Sequence, residues 1–451
     1  MRLRLGDGRS LDCGKLTYDD ATEQLWLYPD ESGRLDIQVS ANTRARARSI
    51  YYDGSRDVVK LIGDVELRSL PKAGQRSSSI RCGLWAELKL APDRQEAPSA
   101  ERLLARSRIS QATFVGAVRV RLQDQVKEEF MESQIEVGSH ICQTVQEVRS
   151  ELQRLRGALI EIAESQGKHI VAASTHPFSR WVDQSITPRL RYKALEENMQ
   201  DIARRLLIFG MHVHVGIGDL ELTIDIFNQA RYFLPHLLAL STSSPFWDGR
   251  RTGLKSYRSV VFENLPRTGI PDSFASYADY DLFMCTLERV GVIDDRTKVW
   301  WDVRPHPKYK TLEFRVCDIC TSIEDAVCLV ALIQSLVAFL VDLRLGNRSW
   351  RIYHRDLIRE NKWLAVRHGI HGELIDFGLG KKVPFEELVE ELLALIRPYA
   401  EHLGCWEEAK RARRIVKEGT SADKQLQVYE ESGGDLKAVV DWLIAETKRG
   451  V

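Results

Sequence analysis

The first part of the chain alternates short apolar and polar runs. Between residues 1 and about 70, runs such as QLWLYP and VVKLIG are separated by Asp-Gly and Ser-Gly turns, at intervals of roughly ten residues. Alternation with a period of two places apolar side chains on one face of a strand. The pattern predicts a small antiparallel β domain over residues 1–75, with a linker at about residues 71–79.

From residue 80 onward, strand-like and helix-like patterns follow one another. Thr144, with Glu147 three residues later, is typical of a capping box that opens a helix ending near Gly167. Runs of strand and helix type then continue to the end of the chain, which is mostly helical. The predicted strands are 80–90, 130–139, 169–175, 210–217 and 311–318, and the predicted helices include 99–108, 187–207, 219–243 and 279–291. We expect residues 76–451 to form one α+β domain with an antiparallel sheet.

One apolar run raises the question of a membrane. Residues 326–341 lie between Asp325 and Asp342 and fall short of the ~20 apolar residues that span a bilayer. The run therefore predicts a central buried helix. With 64 basic and 64 acidic residues, the chain has no net charge that would attract nucleic acid or an acidic membrane.

The eight cysteines are scattered, as is typical of a protein of the reducing cytosol. Cys317 and Cys320 have the spacing of half a zinc site, but no second pair completes it. Buried free thiols are the favoured interpretation, and metal binding is the alternative. The start MRLRLGDG lacks the apolar run of a signal peptide, so we expect a cytoplasmic protein.

Three predicted strands carry polar side chains at alternate positions, which lie on one face of a strand. These sets are Glu132, Gln134 and Glu136; His212 and His214; and Glu313 and Arg315. Carboxylates on half-buried strands must pair or bind something, and oxygen ligands suit Mg²⁺. For any single set, a salt bridge or a solvated strand face is the alternative. No P-loop is present, because GLGKK at 378–382 lacks the required spacing.

Long ordered motifs between residues 132 and 378 resemble the type 2 glutamate–cysteine ligase family, also called carboxylate–amine ligases. They include ESQIEV at 132–137, ITPRLRY at 186–192, GMHVHVG at 210–216, TLEFRVCD at 311–318, RENKW at 359–363 and LIDFG at 374–378. The resemblance implies a curved antiparallel sheet with flanking helices, as in glutamine synthetase, forming the floor of an active site.

The resemblance also implies a reaction. ATP and Mg²⁺ would drive transfer of phosphate to a small-molecule carboxylate, and an amine would then attack the acyl phosphate. The implied metal ligands are Glu136, His212 and Glu313, together with Glu87. The implied nucleotide-binding residues are Gln134, His214, Arg258 and Arg315. Relatives commonly form dimers, so a homodimer is also implied.

Three arginines receive implied roles in the same way. Arg315, two residues after Glu313, would contact phosphate, while Arg304 and Arg258 are candidates for the substrate carboxylate. An ordinary ion pair is an equally weighted alternative for Arg258 and Arg304. Glu313, Arg315 and Arg304 are thus the predicted catalytic residues.

The chain departs from the family pattern near its first predicted strand of the second domain. The family has Gly-Val-Glu-Glu-Glu there, whereas this chain has GLWAE at 83–87, so that only Glu87 matches an acid and Trp85 replaces another. Residues 1–75 also lie outside the pattern. The alternative hypothesis is therefore a ligase fold without activity that binds a protein partner through its N-terminal β domain.

Overall fold

The computed structural model of the chain describes residues 125–451 in full and, between residues 2 and 89, the backbone of β-strands. The chain divides into two compact units, residues 1–127 and residues 128–451. The helix predicted at 99–108 lies outside the described residues.

The strands of the first unit pair in an antiparallel manner. One sheet has the order Trp85–Lys89, Val58–Ile62, Ser49–Asp53, Gln24–Tyr28, Lys15–Asp19. A second sheet has the order Ser79–Cys82, Val65–Ser69, Thr43–Ala47, Leu35–Ser40, and Arg2–Arg4 pairs with Ser10–Asp12. Described strands therefore continue beyond residue 75, and the domain boundary at that position stays a prediction.

The second unit mixes helices and strands, as the sequence predicts. Its helices are Val145–Glu164, Leu190–Met199, Asp201–Arg204, Leu220–Ala230, Leu234–Ser241, Tyr257–Phe262, Tyr277–Arg289, Ile323–Leu345, Arg355–His368, Phe385–His402, Trp406–Ala409, Ala412–Glu418, Ser421–Glu431 and Leu436–Lys448. Its short paired strands are Val126–Glu128 with Ile135–Val137, Phe246–Trp247 with Arg250–Arg251, Thr268–Gly269 with Trp300–Trp301, and Glu373–Asp376 with Lys381–Pro384.

The start of the helix Val145–Glu164 confirms Thr144 as the N-cap, but only this half of the predicted capping box forms. Thr144 accepts a hydrogen bond from the backbone N–H of Glu147 at 3.2 Å. The Glu147 carboxylate accepts from the N–H of Gln143 at 2.6 Å, one residue before the cap. These bonds satisfy backbone donors that would have no partner inside the helix.

Four local predictions are wrong. In place of one strand at 80–90, the chain has the strands Ser79–Cys82 and Trp85–Lys89, which belong to different sheets. The strand predicted at 130–139 is limited to Ile135–Val137, because residues 132–133 form a turn that the bond from Gln134 N–H to Met131 C=O closes at 2.9 Å. Residues 169–175 make only a single bridge, between Thr175 and Ile208. The helix predicted at 187–207 breaks at Gln200, whose φ is +50°.

The helix Ile323–Leu345 runs through the main hydrophobic core of the second unit. It is long and apolar enough to cross a membrane by length and composition, but 67% of its most apolar window is buried inside the protein. This confirms the predicted central helix. Cys317, Cys320, Cys328 and Cys405 are buried free thiols. Burial raises the pKa of Cys317 to about 12, as expected for an unreactive thiol.

A three-stranded antiparallel sheet, which we call the central sheet, positions the candidate site. Its order is Val213–Gly216, Thr311–Phe314, Val303–Pro305. Leu312, Phe314 and Val316 lie in the main core, as the alternation predicts. Since alternate side chains point to opposite faces, Glu313 and Arg315 lie on the other face of the sheet.

Candidate active site

The face of the central sheet opposite the core carries two rows of charged and polar side chains. In the first row, His214 pairs with Glu313, and Glu313 pairs with Arg304 across the neighbouring strand. In the second row, Arg315 lies between His212 and Asp302, since Arg315 Nη1 is 3.4 Å from His212 Nδ1 and Arg315 N–H donates to Asp302 C=O at 2.7 Å. We call these six residues the polar face.

Glu313 is the electrostatic centre of the polar face. Only 2% of this residue is exposed. Arg304 Nε donates to one carboxylate oxygen at 2.7 Å, and Arg315 Nη1 donates to the other at 2.5 Å. Burial alone would raise the pKa of Glu313, but the charges of Arg315 and Arg304 outweigh burial and hold it well below its usual value. Glu313 is therefore a carboxylate under all ordinary conditions.

The two histidines flank Glu313 as neutral imidazoles. The distances to the same Glu313 oxygen are 3.7 Å from His212 Nδ1 and 3.9 Å from His214 Nε2. Burial, followed by the charge of Arg315, lowers the pKa of His212 well below its usual value. Burial also lowers the pKa of His214, and the charges of Glu313 and Glu136 only partly oppose this. A neutral imidazole can act as a ligand or as a hydrogen-bond partner.

The three arginines differ in how their donors are used. Arg304 Nη1 donates to the C=O groups of Thr297 and Val299, in addition to the bonds with Glu313. Arg258 donates to the C=O groups of Val316 and Arg315. In contrast, Arg315 Nε is buried without a partner. A buried donor without a partner is unusual in a folded protein, and it marks Arg315 as a candidate ligand-binding residue.

Arg258 fits against the chain only because residue 210 is glycine. A Cβ added to Gly210 would lie 2.8 Å from Cζ of Arg258. The guanidinium is also 3.8 Å from the fully buried carboxylate of Asp318, which accepts from the hydroxyls of Ser244 and Ser256. Arg258 therefore joins the helix Tyr257–Phe262 to the end of the central sheet.

Glu129 and Glu136, at the short paired strands Val126–Glu128 and Ile135–Val137, form a pair of interacting carboxyl groups. Burial, followed by the hydrogen bond to Glu136 and the charge of Glu136, raises the pKa of Glu129 to about 7. Two carboxylates in contact repel each other, and a shared proton or a cation relieves the repulsion. This oxygen donor pair fits Mg²⁺. Glu129 was not among the residues predicted from the sequence, because no alternation relates it to Glu136.

The three metal ligands that the family resemblance implies do not all meet at one point, although His212 and Glu313 lie close together. In the fully described part of the chain, one group of three possible metal ligands has its ligand atoms within 4.8 Å of one another. It consists of His140, Cys142 and Glu147. Glu136, His212 and Glu313 do not form such a group there. Gln134 is buried, donates to the C=O groups of Leu206 and Ile208, and accepts from Met131 N–H. Its amide thus holds neighbouring backbone together.

Glu87 belongs to the first unit, in the strand Trp85–Lys89 that pairs with Val58–Ile62. Its side chain lies outside the described residues, so its predicted metal contact stays a prediction. Trp301 is buried in the main core.

Lys362 is a second buried charge that sequence reasoning missed. Its ammonium donates to Asp302 and to Glu263, at 2.6 Å in each case, and the residue is 4% exposed. The burial of Lys362 would lower its pKa, but the charges of Asp302 and Glu263 outweigh burial and raise it. The helix Arg355–His368 is thereby tied to the polar face through Asp302.

A groove of about 510 Å³ lies beside Lys362. Its lining includes Ser259, Glu263, Arg359, Glu360 and Trp363. The volume falls within the range of small-molecule sites, and the mixture of charges with an indole suits a small polar ligand.

Comparison with known proteins places this geometry in a family. Residues 99–441 match the profile described as "Glutamate-cysteine ligase family 2". A protein of Herpetosiphon aurantiacus named "Putative glutamate--cysteine ligase 2" is 51% identical over 330 residues, covering 73% of this chain and 86% of that protein. A protein of Rhodospirillum rubrum with the same name is 51% identical over 329 residues, covering 71% and 85%.

A solved structure shares the fold at low sequence identity. The crystal structure of glutamate–cysteine ligase from Francisella tularensis in complex with AMP matches with a TM-score of 0.53 and 14% identity. The match covers 72% of this chain and 82% of that one. The mixed helix-and-sheet architecture expected from the sequence is therefore that of a known ligase fold.

Proposed function

Since the chain belongs to glutamate–cysteine ligase family 2, we propose that it is an ATP- and Mg²⁺-dependent ligase that joins an amino-acid-like carboxylate to an amine. A carboxylate oxygen of the substrate attacks the γ-phosphorus of ATP, and ADP leaves. The amine nitrogen then attacks the acyl carbon, inorganic phosphate leaves, and the nitrogen loses a proton. The product is an amide.

The polar face supplies the observation on which this proposal depends. A fully buried carboxylate, Glu313, holds two guanidinium groups in place, and one of them, Arg315, keeps an unpartnered buried Nε. Charged donors fixed in a site of low dielectric stabilise negative charge that develops on a transferring phosphoryl group. In this proposal Arg315 contacts phosphate, whereas Glu313 and Arg304 orient Arg315.

The divalent cation has a matching set of oxygen donors. Glu129 and Glu136 would hold Mg²⁺ between their carboxylate oxygens, and the charge of Glu136 already acts on His214 of the polar face. Bound Mg²⁺ would offset the repulsion between the triphosphate and the substrate carboxylate. The chain's own contribution is to keep these carboxyl groups together, with Glu129 partly buried and Glu136 exposed.

We assign the groove beside Lys362 to the substrates other than ATP. Lys362, one of its lining residues, donates to Asp302, and Asp302 lies next to Arg315 on the polar face. Arg359 and Glu360 in its lining offer opposite charges, as the two ends of an amino acid require.

Measurement of ADP release tests the proposal. The protein is incubated with ATP and Mg²⁺ across a panel of amino acids and amines, alone and in pairs. We expect release only when a suitable carboxylate is present, and a loss of about 100-fold in Glu313→Gln. The matched control is Glu324→Gln, which removes an exposed carboxylate paired with Arg149. Silence across the whole panel, or equal rates for Glu313→Gln and the parent, would contradict the proposal.

A second candidate function is a ligase fold that binds a protein partner through its N-terminal strands. The observation that favours it is the strand Trp85–Lys89, which pairs with Val58–Ile62 of the first unit and carries an indole where the family has an acid. Thermal stabilisation by ATP that requires Mg²⁺ would count against this function. Capture of a partner that depends on residues 1–75, without any nucleotide effect, would favour it.

A further inference from the structure

The hairpin between Val303–Pro305 and Thr311–Phe314 carries a stack of two aromatic rings. The rings of His306 and Tyr309 lie 4.4 Å apart between centroids, with an interplanar angle of 11°. Tyr309 is a large aromatic residue, yet 66% of it is exposed. One face of this ring is therefore covered by an imidazole, and the other side is open.

The stack is fixed by the backbone of the hairpin. Nδ1 of His306 accepts hydrogen bonds from the N–H groups of Lys308 and Tyr309, at 3.2 Å each. The N–H of His306 donates to Thr311 C=O at 2.8 Å, and the edge of His214 packs against His306 at 5.2 Å between centroids. A side chain held in this way loses little further conformational freedom when a ligand stacks on it.

The stack stands at the end of the polar face. His306 follows Arg304 by two residues, so both lie on the same side of the central sheet. His214 bridges the two regions, because its ring is 6.1 Å from Tyr309 and its Nε2 is 3.9 Å from the Glu313 carboxylate. Lys308 and Lys310 are exposed on the same hairpin, where they offer positive charge to an anion.

We propose that the open face of Tyr309 is the platform on which the purine base of the nucleotide stacks, with its phosphates passing His214 towards Arg315. The inference rests on the proposed function and adds the site of the base to it. Among the reactants of that function, the nucleotide is the one that always contains a flat aromatic system. Stacking on an aromatic side chain uses the π-face of the base.

Binding of two ligands that differ in the base tests this platform. ADP and inorganic tripolyphosphate, each with Mg²⁺, are titrated calorimetrically into the full-length parent, Tyr309→Ala and Tyr309→Phe. We expect Tyr309→Ala to weaken ADP roughly tenfold, the range found when a stacking aromatic is removed. Tyr309→Phe keeps the ring and should stay within about twofold of the parent. Tripolyphosphate has no base, so all three proteins should bind it equally.

Each other outcome overturns the inference. If Tyr309→Ala binds ADP as the parent does, the base lies elsewhere, while the proposed ligase function stands. If Tyr309→Ala weakens tripolyphosphate as much as ADP, Tyr309 supports the hairpin and is not a platform for the base. If the parent itself binds neither ADP nor tripolyphosphate, the platform and the proposed function fall together.

Discussion

Glu313 shows how one buried charge is tolerated inside this protein. Its two carboxylate oxygens accept hydrogen bonds from Arg304 and Arg315. Glu313 is thus also the counter-charge of both buried guanidinium groups. We predict that Glu313→Gln lowers the free energy of unfolding by about 3–5 kcal/mol, since it leaves buried guanidinium groups without their counter-charge. Urea denaturation measures this. Glu324→Gln, at a pair with Arg149 that is partly exposed, should lose at most about 1 kcal/mol, and equal losses in the two variants would contradict the argument.

Two glycines of the motif GMHVHVG allow a second comparison at the scale of single residues. An added Cβ at Gly210 meets the Arg258 guanidinium, whereas one at Gly216 meets nothing within 4 Å. We predict that Gly210→Ala destabilises the protein by about 1–3 kcal/mol through overpacking. Gly216→Ala should be neutral or stabilise it by up to about 1 kcal/mol, because it restricts the unfolded chain. Thermal or urea unfolding of both variants checks this, and a larger loss at Gly216 would count against it.

At the scale of elements, Lys362 fastens the helix Arg355–His368 to the central sheet. Lys362→Met would leave Asp302 as a buried carboxylate without its cation, at a cost of about 3–5 kcal/mol in unfolding free energy. The double variant Lys362→Met with Asp302→Asn should recover part of that loss, because the unpaired charge is gone. Lys437→Met, at an exposed pair with Asp441, is the control and should unfold like the parent. No recovery in the double variant would show that packing, and not charge, sets the cost.

The elements also show what sequence patterns can predict. Ile323–Leu345 was predictable because its apolar composition leaves burial as the stable solution, and the alternation of Leu312, Phe314 and Val316 fixed the faces of one strand. The strand at 130–139 was mispredicted because alternation does not reveal a turn. Residues 132–133 turn because Gln134 is held by the backbone of residues 206 and 208, far away in sequence.

At the scale of the whole molecule, the site combines residues that no local pattern connects. Glu313 and Arg315 were found from their spacing and from the family motifs. Asp302 and Lys362 are separated by 60 residues and meet only because a helix packs beside the sheet. Glu129 becomes a candidate metal ligand only because it contacts Glu136, which helps to raise its pKa. Tertiary packing therefore decides which polar residues near a predicted motif become part of the site.

The division of the chain into two units leads to a last prediction, about what each unit contributes. The main hydrophobic core is built from residues between 145 and 415, all within the second unit. A fragment of residues 128–451 should therefore unfold cooperatively in urea, as a unit with its own core does.

The same fragment lacks Glu87, the acid that the family resemblance implies as a metal ligand. If that implication holds, the fragment folds but shows no Mg²⁺-dependent ADP release, and Glu87→Gln in the full-length chain loses release as well. Full activity of the shorter fragment would remove Glu87 from the site and leave Glu129 and Glu136 as the carboxylates that hold the cation.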